Sequence, residues 1–156
     1  MNHPLIRYHG GKFRLSDWII SHFPPHETYV EPFGGGASVL LSKQPSRMEV
    51  YNDLDSDVVN FFEVIRDPNL SIELAKQIEL TPYSRTEFLN ARADTTCKVE
   101  QARRLVIRAQ MGFGSAGATK GNTGFRLDTA RGGSDIVKIW QRQPEVILQA
   151  AARLKK

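Results

Sequence analysis

The stretch TYVEPFGGGASVLLSKQPSRMEVYNDLDSD, residues 28–57, holds the densest set of groups that could do chemistry. Glu31-Pro32-Phe33 runs into Gly34-Gly35-Gly36, followed by the small residues Ala37 and Ser38. Small residues there let a ligand approach the backbone closely and expose amide N–H groups where a helix begins. Asn52-Asp53 follows about 20 positions beyond the glycines, where nucleotide-binding α/β folds place an acid for a ribose diol. Nearer the N-terminus, Tyr8 precedes Gly10-Gly11-Lys12. Two glycines permit a tight turn and leave the Lys12 ammonium free to reach a carboxylate or a phosphate. The glycines do not follow GxGxxG, and no lysine follows them as in GxxxxGK[ST], which disfavours an NTP-phosphate loop. The chemistry indicated is cofactor binding, and a plain glycine turn is the competing account.

These groups need elements to carry them. Tyr29 and Val30 are β-formers, and Glu49-Val50-Tyr51 forms a second short strand, so the unit reads strand, glycine turn, short helix (39–43), strand, acid. Leu15, Trp18, Ile19, Ile20 and Phe23 recur at helical spacing and are expected in the core. Helices are expected over residues 55–65 with Asp55 or Ser56 as cap, over the stretch 68–78 starting near Ser71, over 85–92 after the Thr81-Pro82-Tyr83-Ser84 turn, and over 99–111. Residues 136–156 read as a last helix, bent at Pro144. Between the last two, residues 112–135 contain seven glycines and little periodicity. A loop that long inside a domain is functional or a connector. Lys120, Asn122, Arg126 and Arg131 beside Phe113 and Phe125 could lie against phosphates and bases.

The bulk numbers bound the class. A chain of 156 residues with 40% hydrophobic content suffices for one domain with a real core. No apolar run approaches a membrane span, and the N-terminus has no signal-peptide core, so a cytoplasmic protein with no membrane contact is expected. The single cysteine, Cys97, excludes an internal disulfide and a cysteine-based metal cluster. Residues 1–97 carry 9 Lys/Arg against 13 Asp/Glu, a net of −4, whereas residues 98–156 carry 12 against 4, a net of +8. A basic half is the footprint of a polyanion partner or a solvated helical face.

Together these stretches resemble the Dam-like family of adenine-specific DNA methyltransferases. IRYHGGKF (6–13) looks like the family's N-terminal motif, YVEPFGGGASVLL (29–41) like its cofactor motif, and VYNDLDSDVVNFF (50–62) like its acidic second-strand motif. A looser match covers Thr81 to Asn90. The resemblance implies S-adenosylmethionine as cofactor and double-stranded DNA as partner, with no metal. The implied fold is α/β, a partial Rossmann-like methyltransferase fold with a mainly helical, glycine-rich target-recognition insertion. Residues 1–92 would form the cofactor part and residues 93–156 the recognition region. Tyr8, Lys12, Glu31, Pro32, Phe33, Gly35 and Asp53 would contact the cofactor, with Lys12 on its carboxylate side and Asp53 on the ribose. Arg108, Lys120, Arg126 and Arg131 would approach DNA. Ala37 stands where many relatives have glycine, a change expected to be harmless.

The large departure concerns catalysis. The family's Asp-Pro-Pro-Tyr tetrapeptide, whose polar groups hold the amine of a flipped adenine, does not occur in the 156 residues. No catalytic residue is therefore assigned. The expectation is a chain that ends before that motif, is inactive alone, and leaves a sheet edge and apolar helix faces uncovered. A complementing chain or self-association would cover them. A non-catalytic DNA-binding remnant, one half of a split methyltransferase and an unrelated nucleotide-binding oxidoreductase remain as alternatives.

Overall fold

The computed structural model describes residues 3–114, 118, 123–127 and 136–154. Two strands carry the centre. β1 (Thr28–Glu31) and β2 (Met48–Tyr51) pair in parallel, with Thr28 opposite Met48 and Glu31 opposite Tyr51. The crossover between them contains a short helix; a 3-10 turn (Phe13–Leu15) and α1 (Ser16–Ser21) precede the strands, so the crossover helix is α2 (Ser38–Ser42). A mixed architecture of helices and a small parallel sheet fits the expected α/β class.

The sheet is unusual in which face it buries. Tyr29, Glu31, Glu49 and Tyr51 point inward, while Thr28, Val30, Met48 and Val50 point outward. The inward face is polar but bonded. Glu49 accepts from Lys43 Nζ at 2.7 Å, from the Ser46 amide at 3.0 Å and from both Arg153 terminal nitrogens at 2.9 Å. The outward face is aliphatic and open, with Val30 51% and Met48 57% exposed. Parallel sheets are ordinarily covered on both faces, so this face is the bare one of the described structure. The expectation that Leu15, Trp18 and their stripe lie in the core is corrected here. Leu15 and Trp18 are exposed, Trp18 by 64%, and only Ile19, Ile20 and Phe23 are partly covered.

The core sits in the helices instead. α3 (Ser56–Arg66) packs on α6 (Lys98–Met111), and α4 (Pro68–Glu79) on α8 (Gln143–Leu154). Phe61, Ile65, Leu74, Ile78, Leu105, Ile107 and Ile147 are fully buried between them. Short polar side chains start these helices, and α4 begins at Pro68 and not near Ser71, because Asp67 caps it. Asp55 accepts from the Asp57 amide, and Asp67 from the Asn69 and Leu70 amides with Pro68 in the first turn. Ser84 accepts from the Glu87 amide at the start of α5 (Arg85–Asn90). Each such cap stabilises by about 1 kcal/mol.

Two expectations about the C-terminal part change. The last helix is two helices, α7 (Ile136–Gln141) and α8, and the break falls at Arg142. Pro144 does not kink a continuous helix, because it lies in the first turn of α8, where its missing N–H costs nothing. Within the glycine-rich stretch, the described residues 123–127 make a single antiparallel bridge, Gly112 with Phe125. Phe125 rests against the Tyr83 ring at 5.4 Å, which ties this piece to the start of α5.

Candidate functional site

The site begins with the turn after β1. The Gly34 amide donates to the Asn52 carbonyl at 2.9 Å and the Ala37 amide to the Gly34 carbonyl at 2.8 Å, which closes the turn against the end of β2. Gly35 has φ +50°, the left-handed region that glycine enters without penalty. A Cβ there would lie 2.7 Å from Cδ1 of Tyr8, so the Tyr8 ring lies directly on this glycine. A Cβ on Gly34 would lie 2.3 Å from the Tyr51 ring. Tyr51 Oη in turn donates to the Gly35 carbonyl at 2.7 Å. The glycines are thus fixed between two tyrosines, one on each side of the turn.

Asp53 holds the same turn from the other strand. Its Oδ2 accepts from the Gly35 amide at 2.8 Å and its Oδ1 from the Asp55 amide at 2.9 Å. Each carboxylate oxygen retains a further lone pair, so Asp53 can still accept from a diol. Tyr8 Oη donates to Asp55 Oδ2 over a long 3.4 Å. Burial, then Asp55 and Asp53, push the Tyr8 phenol up to about 12, so it stays a neutral donor at any ordinary pH. Glu31 Oε1 accepts from Tyr29 Oη at 2.7 Å and from the Leu40 amide at 2.9 Å. Its Oε2 is buried with no partner among the described residues, and burial raises the carboxyl above its ordinary value. Lys12 is exposed at the rim, and its Nζ donates to the Gly10 carbonyl.

These groups line one cleft of about 500 Å³. All seven residues expected at a cofactor, Tyr8, Lys12, Glu31, Pro32, Phe33, Gly35 and Asp53, are on its wall. Its features suit a nucleoside with a charged amino-acid tail: a glycine turn, an aromatic face, a carboxylate for hydroxyls and a lysine for a carboxylate. Sequence reasoning missed Tyr51 and Asp55, which brace Gly35 and Tyr8. The available signal was the alternation of β2, which puts Tyr51 on the same face as Glu49. The expectation that Ala37 is a harmless change considers only its size. Ala37 has φ 49° and is fully buried, so an L side chain occupies a left-handed position.

Of the four residues expected at DNA, two are described and lie in different surroundings. Lys120 and Arg131 lie outside the described residues. Arg126 is half-buried and lines a neighbouring cleft. Arg108 is placed in the interior, which corrects the expectation that it faces DNA. It is 8% exposed, and its Nη2 donates to Asp57 Oδ2 and its Nη1 to the Ala91 carbonyl, each at 2.8 Å. The basic half is also less free than its charge suggests. Arg103 and Arg104 are held by Glu100, Arg153 by Glu49 and Lys98 by Glu63. Among the described residues no cluster of His, Cys, Asp and Glu could hold a metal, and no helix is long and apolar enough to cross a membrane.

Comparison with known proteins gives a consistent set of relatives. The family described as D12 class N6 adenine-specific DNA methyltransferase matches residues 8–114. A DNA adenine methylase of Escherichia coli (strain K12) is 35% identical over 65 residues, 42% of this chain and 23% of the relative. That of Haemophilus influenzae is 34% identical over 64 residues, 40% of this chain and 22% of the relative. That of Vibrio cholerae is 31% identical over 83 residues, 53% of this chain and 30% of the relative. The chain thus spans less than a third of the length of these relatives.

Proposed function

The chain belongs to the D12 class of N6 adenine-specific DNA methyltransferases, and on that premise we propose that its cleft binds S-adenosylmethionine for methyl transfer to the exocyclic amine of adenine in DNA. The observation that carries the reading is the Asp53–Gly35–Tyr8 arrangement, in which one carboxylate and one aromatic ring converge on a glycine whose added Cβ would lie 2.7 Å from that ring. In this reading Asp53 accepts the ribose hydroxyls and Lys12 pairs with the methionine carboxylate. Tyr8 and Phe33 flank the cofactor, and Glu31 with Pro32 shapes the turn. When bound, the cofactor supplies the electrophilic methyl group. The chain's own contribution is position and hydrogen bonding.

The tetrapeptide that holds the adenine amine in the family does not occur in these 156 residues. The assignment for this chain therefore stops at holding the cofactor and the DNA, and the 156 residues alone are expected not to turn over. Titration calorimetry with S-adenosylmethionine and, separately, NAD tests the reading. Binding of the former and not the latter is expected. Binding of NAD alone would instead favour a nucleotide-dependent oxidoreductase. Methyl incorporation into adenine-containing duplex by the isolated chain would refute the expected lack of turnover.

A further inference from the structure

A second cleft, of about 760 Å³, adjoins the first and shares Tyr8, Gly11 and Ser38 with it. Its charged lining is one-sided: Arg7, Arg14, Arg126 and Arg142 face it, and no Asp or Glu does among the described residues. Three different parts of the chain deliver these arginines: the N-terminal segment, the described piece 123–127 of the glycine-rich stretch, and the break between α7 and α8. Elsewhere in this protein arginines that leave solvent are matched by acids, as Arg103, Arg108 and Arg153 are. Arg7 is half-buried and forms no ion pair among the described residues, and its Nη1 is fully covered with no hydrogen-bond partner there. Covering a guanidinium nitrogen without a partner is costly, and convergence of like charges adds to that cost. Burial and the nearby Arg126 both lower the Arg7 pKa, as expected of a cation lacking its counter-charge. Ile6, Ile139 and Val146 add an apolar floor.

We propose that this cleft is a phosphodiester subsite for the DNA strand, in which Arg7, Arg126 and Arg142 hold a phosphate beside the nucleotide presented to the cofactor. The assignment rests on the DNA-methyltransferase reading above and adds to it a place for the strand. A phosphate supplies the counter-charge that Arg7 does not find among the described residues, guanidinium forks suit its oxygens, and the apolar floor suits the adjoining sugar. The shared Tyr8 places the phosphate next to the cofactor cleft, where a strand delivering its base must pass.

The test is fluorescence anisotropy of a labelled adenine-containing duplex with the full chain, across a salt series, for wild type, Arg7→Gln, Arg142→Gln and the control Arg47→Gln. Arg47 is exposed and, among the described residues, pairs only with Glu27. S-adenosylmethionine affinity and thermal midpoint are measured on the same samples. Arg7→Gln and Arg142→Gln are each expected to weaken DNA binding several-fold and to reduce the slope of log K against log salt by about 1. Arg47→Gln is expected to change neither. Arg7→Gln should keep or raise the thermal midpoint, because it removes an unpaired cation. Unchanged slopes in both variants, or no DNA binding by the wild type, overturn the proposal. So does a fall in midpoint with an unchanged slope, which would mean that a carboxylate of the chain itself fills the cleft. Slopes that change in a chain that binds no S-adenosylmethionine would leave the subsite standing and remove the cofactor reading instead.

Discussion

Replacing Arg108 by Met is expected to cost stability, not DNA affinity. Arg108 and Asp57 join α6 to the start of α3 at 2.8 Å, with side chains 10% and 9% exposed. Gln101 Nε2 adds a second bond to Asp57 Oδ1 at 2.8 Å, and Arg108 Nη1 reaches across to the Ala91 carbonyl at the end of α5. Removing the guanidinium leaves a buried carboxylate with one neutral donor and strands a carbonyl. Breaking one side of a buried pair costs about 3–5 kcal/mol, a large part of the roughly 5–15 kcal/mol that holds a domain together. For a chain of this size that corresponds to a fall in thermal midpoint of about 10–15 °C. Asp57→Asn together with Arg108→Met removes the uncompensated charge and is expected to recover about 1–3 kcal/mol relative to the sum of the single variants. Urea denaturation followed by far-ultraviolet circular dichroism measures all three. Loss of less than about 1 kcal/mol in Arg108→Met, together with weaker duplex binding and a shallower salt slope, would refute the reasoning and return Arg108 to the DNA surface.

Gly35→Ala forces a methyl into a left-handed position and against the Tyr8 ring, at a cost of about 1–3 kcal/mol; cofactor affinity measured by calorimetry should fall at least as clearly as stability. Burial raises the Glu49 pKa, but hydrogen bonds from Arg153 and Lys43 outweigh it and hold the carboxyl down at about 2. A depressed carboxyl stabilises the fold above its unfolded value near 4.3 and loses that contribution as pH falls toward 2. Arg153→Met should therefore move the acid-unfolding midpoint upward in a circular dichroism titration, and an unchanged midpoint would deny the Arg153–Glu49 link between α8 and β2. Ser84→Ala removes the cap of α5 and is expected to cost about 1 kcal/mol in the same urea assay. The open aliphatic face at Val30, Met48 and Val50 predicts sedimentation coefficients that rise with concentration, and less so in Val50→Lys; concentration-independent sedimentation of the wild type would contradict it.

The elements around the glycine turn, and the grouping of its neighbours on one cleft, could be read from the sequence because their causes are local. A strand, a glycine turn and an acid at the end of the next strand are fixed by short-range sterics, and Asp55 and Ser84 mark helix starts by their own side-chain bonds. The misreadings share one physical origin, which is partnership over long sequence separations. Trp18 sits on a regular apolar stripe, yet burial depends on whether another element covers it, which periodicity does not encode. Arg108 looks like a surface cation among Arg103 and Arg104 until α3 brings Asp57 against it from 51 positions away. Arg7 is hidden in the opposite way. It stands inside a recognised motif next to Tyr8, and its lack of a counter-charge among the described residues emerges only when Arg126 and Arg142 are brought to the same cleft. Ala37 has a size that suits the turn, whereas its backbone angle is set by the turn's closure and not by its volume.

If Asp53 and the glycine turn form a cofactor site, titration calorimetry of S-adenosylmethionine into wild type and Asp53→Asn will show it. The amide side chain of that variant can still accept from one backbone amide but lacks the charge and the second acceptor for a diol. Measurable binding to the wild type is predicted, with a loss of tenfold or more, about 1.4 kcal/mol, in a variant whose circular dichroism spectrum is unchanged. Equal affinity in the two proteins, or no binding to the wild type, would contradict it.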